Sequence, residues 1–250
     1  MKGNRDVAAG SNPLAQFEIQ RWIPIEVSSI DMSFTNSAAF MVAAVVATSA
    51  LMILSVRKRA AVPGRWQLLA ELSYSFIAQM VSDTVGKEGR PYFPFVFTLF
   101  MFVLFGNFLG MIPYSFTFTS HLAVTFGMAM IIFLAVTVIA AVKHRMGFFR
   151  MFLPPGVPIA MAPLLIPIEI ISYLSRPVSL SVRLFANMMA GHTLLKVVAG
   201  FVVPMGVAFG WIPLIGLIPI TALELLIAFL QAYIFTILTC IYINDAIHMH

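Results

Sequence analysis

Residues 91–142 read PYFPFVFTLFMFVLFGNFLGMIPYSFTFTSHLAVTFGMAMIIFLAVTVIAAV, a run without one Asp, Glu, Lys or Arg. A helix needs about 20 apolar residues to cross a bilayer's hydrocarbon, so the run is long enough for two crossings. Pro113–Ser120, PYSFTFTS, is the natural turn between them, and Lys143, His144, Arg145 and Arg150 close the second. Working outward, Met32–Val56 also lacks the four charged types and holds one crossing, stopped by Arg57, Lys58 and Arg59. Val157–Gly200 and Val207–Ile247 follow, separated by Gly200, Pro204, Gly206, Gly210 and Pro213. Each exceeds what an upright helix needs. The first, if mostly helical, reaches on the order of 60 Å, about twice the bilayer core. Strong tilt or a break is required.

Composition agrees. The chain is 60% hydrophobic and 10% charged, where a soluble domain carries roughly 25% charged residues. It has too few charges to cover itself in water, so its solvent is lipid. The net charge of +5 sits in short clusters between apolar runs, a pattern of membrane orientation and not of a nucleic-acid face. The single cysteine, Cys240, excludes an internal disulfide and a cysteine-based metal site. The N-terminal segment lacks the apolar core of a secretory signal.

The expected fold is an all-α integral membrane protein with five membrane-crossing helices and an interfacial helix. Residues 1–31 form an external tail and 32–56 the first span. Residues 63–86 form the interfacial helix, on the helical spacing of Leu69, Leu72, Phe76 and Met80 beside Trp66. Spans two and three lie in 92–142, and 157–247 forms a long tilted hairpin. The clusters Arg57–Arg59, Lys87–Arg90 and Lys143–Arg150 belong on the cytoplasmic side, which puts the N-terminus outside and the C-terminus inside.

Chemistry concentrates in Glu169–Gly191, EIISYLSRPVSLSVRLFANMMAG. An ionisable residue inside a span costs roughly 2.5–3.5 kcal/mol on the insertion scale and is a functional candidate by default. Glu169, Ser172, Arg176, Ser179, Arg183, Asn187 and Ala190 follow steps of three and four, on one helix face. A polar stripe about 32 Å long needs a wet cavity or a partner protein; a hydrogen-bonded seam between helices seldom needs two arginines. The last segment carries its own stripe, Glu224, Ala228, Gln231, Phe235, Leu238 and Tyr242. The two helices run in opposite senses. With Arg183 and Gln231 at one depth, His192 and Glu224 both fall about 10–14 Å further out. A histidine and a carboxylate at one depth can pair and pass protons.

The run SRPVSLSVRLFANMMAGH, with ELLIAFLQAYIFTILTCIYI downstream, resembles the a subunit of F-type ATP synthases over nearly the whole chain. The resemblance aligns Arg183 with that family's essential arginine, Asn187 with its nearby asparagine and Gln231 with the glutamine of the last helix. Some bacterial members place the acid at the position of His192 and the histidine at that of Glu224; here the halves are exchanged. Glu169 aligns with an acidic position assigned to the cytoplasmic outlet, and Ser179 and Arg176 share its stripe on the proton path.

The resemblance implies a static proton-conducting subunit of a bacterial inner (plasma) membrane. Protons enter a half-channel near His192 and Glu224, ride carboxylates on a rotating ring of c subunits, and leave past Glu169. It implies as partners that c ring, b-type peripheral stalk subunits, the soluble F1 sector indirectly, and membrane lipid, with no nucleic acid, cofactor or metal. The chain alone is then no enzyme. An arginine keeps its proton in a protein, so Arg183 cannot relay one; a fixed cation between two aqueous paths attracts a ring carboxylate and repels a leaking proton. A membrane-embedded enzyme lacks support, since HExxH and GxSxG are absent. A proton-coupled transporter or a proton-pumping respiratory subunit remains the alternative. Such proteins usually carry inverted repeats, and none is seen. His248 and His250 could hold a metal but read as a frayed tail.

Overall fold

The computed structural model describes residues 18–23, 26–27, 30–31, 33–57, 63–112, 115–144 and 161–248. Among them helix dominates, in five stretches long and apolar enough to cross a membrane: Asn36–Ser55, Arg65–Gly110, Leu122–His144, Ala162–Gly200 and Trp211–Ile247. The chain is an all-α membrane protein. Its helices are α1 (Asn36–Arg57), α2 (Arg65–Val85), α3 (Phe93–Gly110), α4 (Leu122–His144), α5 (Ala162–Gly200), the short α6 (Gly206–Phe209) and α7 (Trp211–Ile247). A 3₁₀ segment, Gly86–Tyr92, joins α2 to α3, and another, Phe118–Ser120, precedes α4. Lys58, Arg59, Pro113, Tyr114, Arg145, Arg150, residues 157–160 and His250 lie outside the described residues.

Short strands precede α1 among the described residues. Strands β1 (Arg21–Ile23) and β4 (Phe34–Thr35) pair antiparallel, as do β2 (Glu26–Val27) and β3 (Ile30–Asp31). Pairing at Phe34–Thr35 delays the first helix to Asn36, although charge-free sequence begins at Met32. Thr35 then accepts the backbone N–H of Ala38 at 3.3 Å, and so satisfies one of the donors that a helix start leaves open. Asn36 braces the incoming chain: its Oδ1 accepts from the Gln20 N–H at 3.2 Å and its Nδ2 donates to the Glu18 carbonyl at 3.2 Å.

α5 resolves the choice between tilt and break in one respect. Its 39 residues form one unbroken helix, although Pro167 and Pro177 lie inside it. Each proline removes one i→i−4 hydrogen bond. Spans tolerate this because neighbouring helices and hydroxyl side chains satisfy freed backbone groups. α7 carries Pro219 in the same way.

The chain forms two compact units: Met1–Ala50 with Met101–His121 and Leu184–Ala232, and Leu51–Phe100 with Leu122–Arg183 and Tyr233–His250. In the first, the core includes Met101, Val103, Phe118, Leu184, Met188 and Ala232. A buried amide ties two of its helices: Thr119 Oγ1 donates to Asn107 Oδ1 at 2.9 Å, and Asn107 Nδ2 donates to the Ala228 carbonyl at 3.0 Å. In the second, Ile77, Val96, Phe100, Ile132, Phe235 and Ile243 are buried. Thr137 and Tyr173 share a hydrogen bond of 2.7 Å, and Lys143 forms an ion pair with Glu88. Large apolar side chains such as Ile53, Val142 and Ile218 are two-thirds exposed or more. In water that surface would be an aggregation hazard; in lipid it needs no covering.

Candidate functional site

The stripe of α5 presents its residues unequally. Ser172, Ser179, Arg183 and Ala190 are exposed, while Glu169, Arg176 and Asn187 are half-buried. The buried face of the helix, Tyr173, Pro177, Leu180, Leu184, Met188 and His192, lies roughly a third of a turn away. Hence the polar residues flank the packed face, and the stripe's centre looks outward from the chain.

The two arginines differ. Arg176 is compensated within its own unit: Nη1 meets Asp245 Oδ2 at 3.1 Å, and the guanidinium lies 5.5 Å from the Tyr173 ring centre and 5.2 Å from that of Tyr242. Planar delocalised charge suits both contacts. Arg183, two turns on, is exposed and makes no hydrogen bond or ion pair among the described residues. Glu169 likewise has no ion pair among them. Position in the stripe does not separate these two cations; their neighbours do.

In the other unit, α5 and α7 bring His192 and Glu224 together. His192 Nδ1 bonds Glu224 Oε1, and both side chains are buried, 8% and 2% exposed. Nine residues make two and a half helical turns, so spacing alone turns His192 to the face opposite Arg183. The other imidazole nitrogen, Nε2, lies 2.5 Å from Thr117 Oγ1. Glu224 Oε2 is buried without a hydrogen-bond partner among the described residues. Along α7, Glu224, Ala228, Gln231 and Phe235 are all buried, the face that their spacing assigns. A partly open cleft of about 890 Å³ reaches the pair, with Glu18, Asn36, Lys196 and Thr221 among its walls. Acid, base and access thus meet at one place. Among the described residues no three His, Cys, Asp or Glu side chains converge as metal ligands, and His248 bonds Asn244 Oδ1 at 2.9 Å.

Thr117, Asn107 and Asp245 escaped the reading of the sequence. Asn107 was the most legible, a lone amide in the otherwise apolar FMFVLFGNFLG. Thr117 sits in a run of hydroxyl residues that reads as a turn, and its partner is 75 residues away. No local signal links them.

Comparison with known proteins bears on this arrangement. A family model described as "ATP synthase A chain" matches residues 38–244. The chain is 58% identical over 246 residues to the protein named ATP synthase subunit a of Paramagnetospirillum magneticum, covering 96% of this chain and 100% of the relative. It is 55% identical to the protein of that name from Pelagibacter ubique and 56% to that from Rhodospirillum rubrum, each over 96% of this chain and 99% of the relative.

Proposed function

The chain belongs to the ATP synthase A chain family, and from that premise we propose that it is the proton-conducting stator subunit of an F-type ATP synthase membrane sector. The observation that carries the reading is the buried His192–Glu224 pair at a cleft open to the outside of its unit. A proton arriving along the cleft finds a titratable acid and base in contact. It passes to a carboxylate on a rotating c ring, with Asn187 and Gln231 on the way. Arg183, exposed and without an ion pair among the described residues, faces that ring carboxylate and holds it in its charged form. It also keeps the inlet separate from an outlet that runs past Ser179, Arg176 and Glu169. The nucleotide chemistry belongs to the soluble F1 sector, coupled through the ring and a b-type peripheral stalk; this chain supplies the path and no catalysis of its own.

The reading is tested by reconstitution. Membrane sectors holding this chain and its ring, stripped of F1, should conduct protons in liposomes under an imposed potential, and the intact complex should co-purify with a soluble nucleotidase. The chain alone, carrying only part of the path, should not transport a solute. Proton-coupled solute uptake by the isolated chain would sink the reading and favour a transporter.

Orientation follows from the basic clusters, with α2 lying in the interface. Single cysteines introduced in sealed vesicles should be labelled from outside at Ser11 and from the cytoplasm at Lys58, Arg145 and His248. The native Cys240 is fully buried, so background labelling stays low. External labelling at Lys58 or Arg145 would overturn the five-crossing topology.

A further inference from the structure

We propose that Thr117 is a positioning residue that fixes the tautomer of His192, and thereby decides which imidazole nitrogen exchanges a proton with Glu224. The inference rests on the inlet reading of that pair. A threonine hydroxyl has one proton to give. Thr117 donates it to the Gly110 carbonyl at 3.0 Å, and Ser115 donates to the same oxygen at 2.9 Å. Gly110 ends α3, and the last carbonyls of a helix have no intrahelical N–H partner. The two hydroxyls supply what the helix end leaves open.

With its proton committed, the Thr117 oxygen 2.5 Å from Nε2 accepts Nε2–H. Nδ1 is left to face Glu224 Oε1. Two states then interconvert. In one, the Glu224 carboxyl donates its proton to neutral Nδ1; in the other, imidazolium Nδ1–H donates to the carboxylate. A single proton leaves Oε1 as the Nδ1–H bond forms, or the reverse, and both states are neutral overall. The opposite tautomer fits worse. It sets Nδ1–H against either an unbalanced carboxylate that is 2% exposed, or a neutral acid whose proton on Oε2 has no acceptor among the described residues. Burying either costs free energy.

The backbone leaves room for this contact. A Cβ at Gly110 would collide with Thr117 Oγ1, and one at Gly191 would lie 3.0 Å from Glu224 Oε1. Further titratable groups among the described residues lie around the cleft. Glu18 and Lys196 share the cleft walls, and His121 stacks on Phe116, itself in the wall, at 5.0 Å. Among the described residues, α3 and the turn after it bring Gly110, Met111, Ile112, Ser115 and Phe116 to the cleft, none of them titratable.

The test uses assembled membrane sectors stripped of F1, with passive proton conductance measured across pH. Thr117→Val keeps the shape and removes the acceptor for Nε2–H, so the imidazolium state is harder to reach. The alkaline limb should move down by about one pH unit, a roughly tenfold loss of conductance on that limb. Thr117→Ser should keep the parent profile. A parent profile in Thr117→Val, or an equal shift in Thr117→Ser, overturns the proposal. If His192→Gln also conducts like the parent, the inlet reading has failed, not only the role of Thr117. Nitrogen NMR of the assembled parent, with His192→Gln identifying the signal, decides independently of any Thr117 variant. Read at a pH where the ring is neutral, protonation at Nδ1 overturns the proposal and protonation at Nε2 supports it.

Discussion

Arg183→Ala is expected to abolish proton-driven ATP synthesis, while nucleotide hydrolysis by the detached soluble sector continues unchanged. The expectation rests on the contrast between the two arginines of α5. Arg176 has Asp245 and two tyrosine rings; Arg183 is exposed and has no ion-pair partner among the described residues. A permanent cation within a span is costly unless something balances it. Glu169 lies about 21 Å away along the helix and cannot do so; on the proposed reading the balancing acid is the ring carboxylate. On the proposed reading, loss of the cation removes the divider between the two half-channels, and the stripped membrane sector should leak protons passively. Arg183→Lys should fail as well, because lysine lacks the planar fork and burial against the ring can strip its proton. The measurement is ATP synthesis under an imposed proton gradient, with subunit content as the check on assembly. Near-normal synthesis by a fully assembled Arg183→Ala complex would defeat the mechanism.

His192→Ala and Glu224→Ala should each slow proton flow by tenfold or more, and the double alanine variant should be no better than the worse single one. The two side chains share a hydrogen bond in a buried setting. Removing either strands its partner, and a buried polar group without its bond costs about 1–3 kcal/mol. Residues that act as a unit give such non-additive losses. Exchanging the two, His192→Glu with Glu224→His, keeps an acid and a base in contact and should retain more flow than the double alanine variant. Conductance of stripped membrane sectors reads this directly. A normally assembled double alanine variant that conducts like the parent removes this pair from the path.

Helix, span and face were legible along the chain because each is a local property. Charge-free length sets a crossing through the thickness of the hydrocarbon. The 3.6-residue period sets which side chains share a face, and that logic put Glu224, Ala228, Gln231 and Phe235 on the face of α7 that is buried. It also set His192 and Glu224 at one depth. It did not reveal the strand pairing that holds Phe34–Thr35 out of α1, since Ile23 and Phe34 read only as apolar residues near a polar tail.

What only the tertiary structure decided is which neighbour lies across each face. Arg176 and Arg183 are equivalent in the stripe, and Asp245, 69 residues further along, distinguishes them. His192 reads as half of a pair, and Thr117 makes it the middle of a chain of three. Periodicity fixes the direction in which a side chain leaves its own helix. The partner it meets depends on how distant helices pack, which turns on close approaches such as that of Gly191 to Glu224, and nothing in the spacing of residues along one helix encodes that distance.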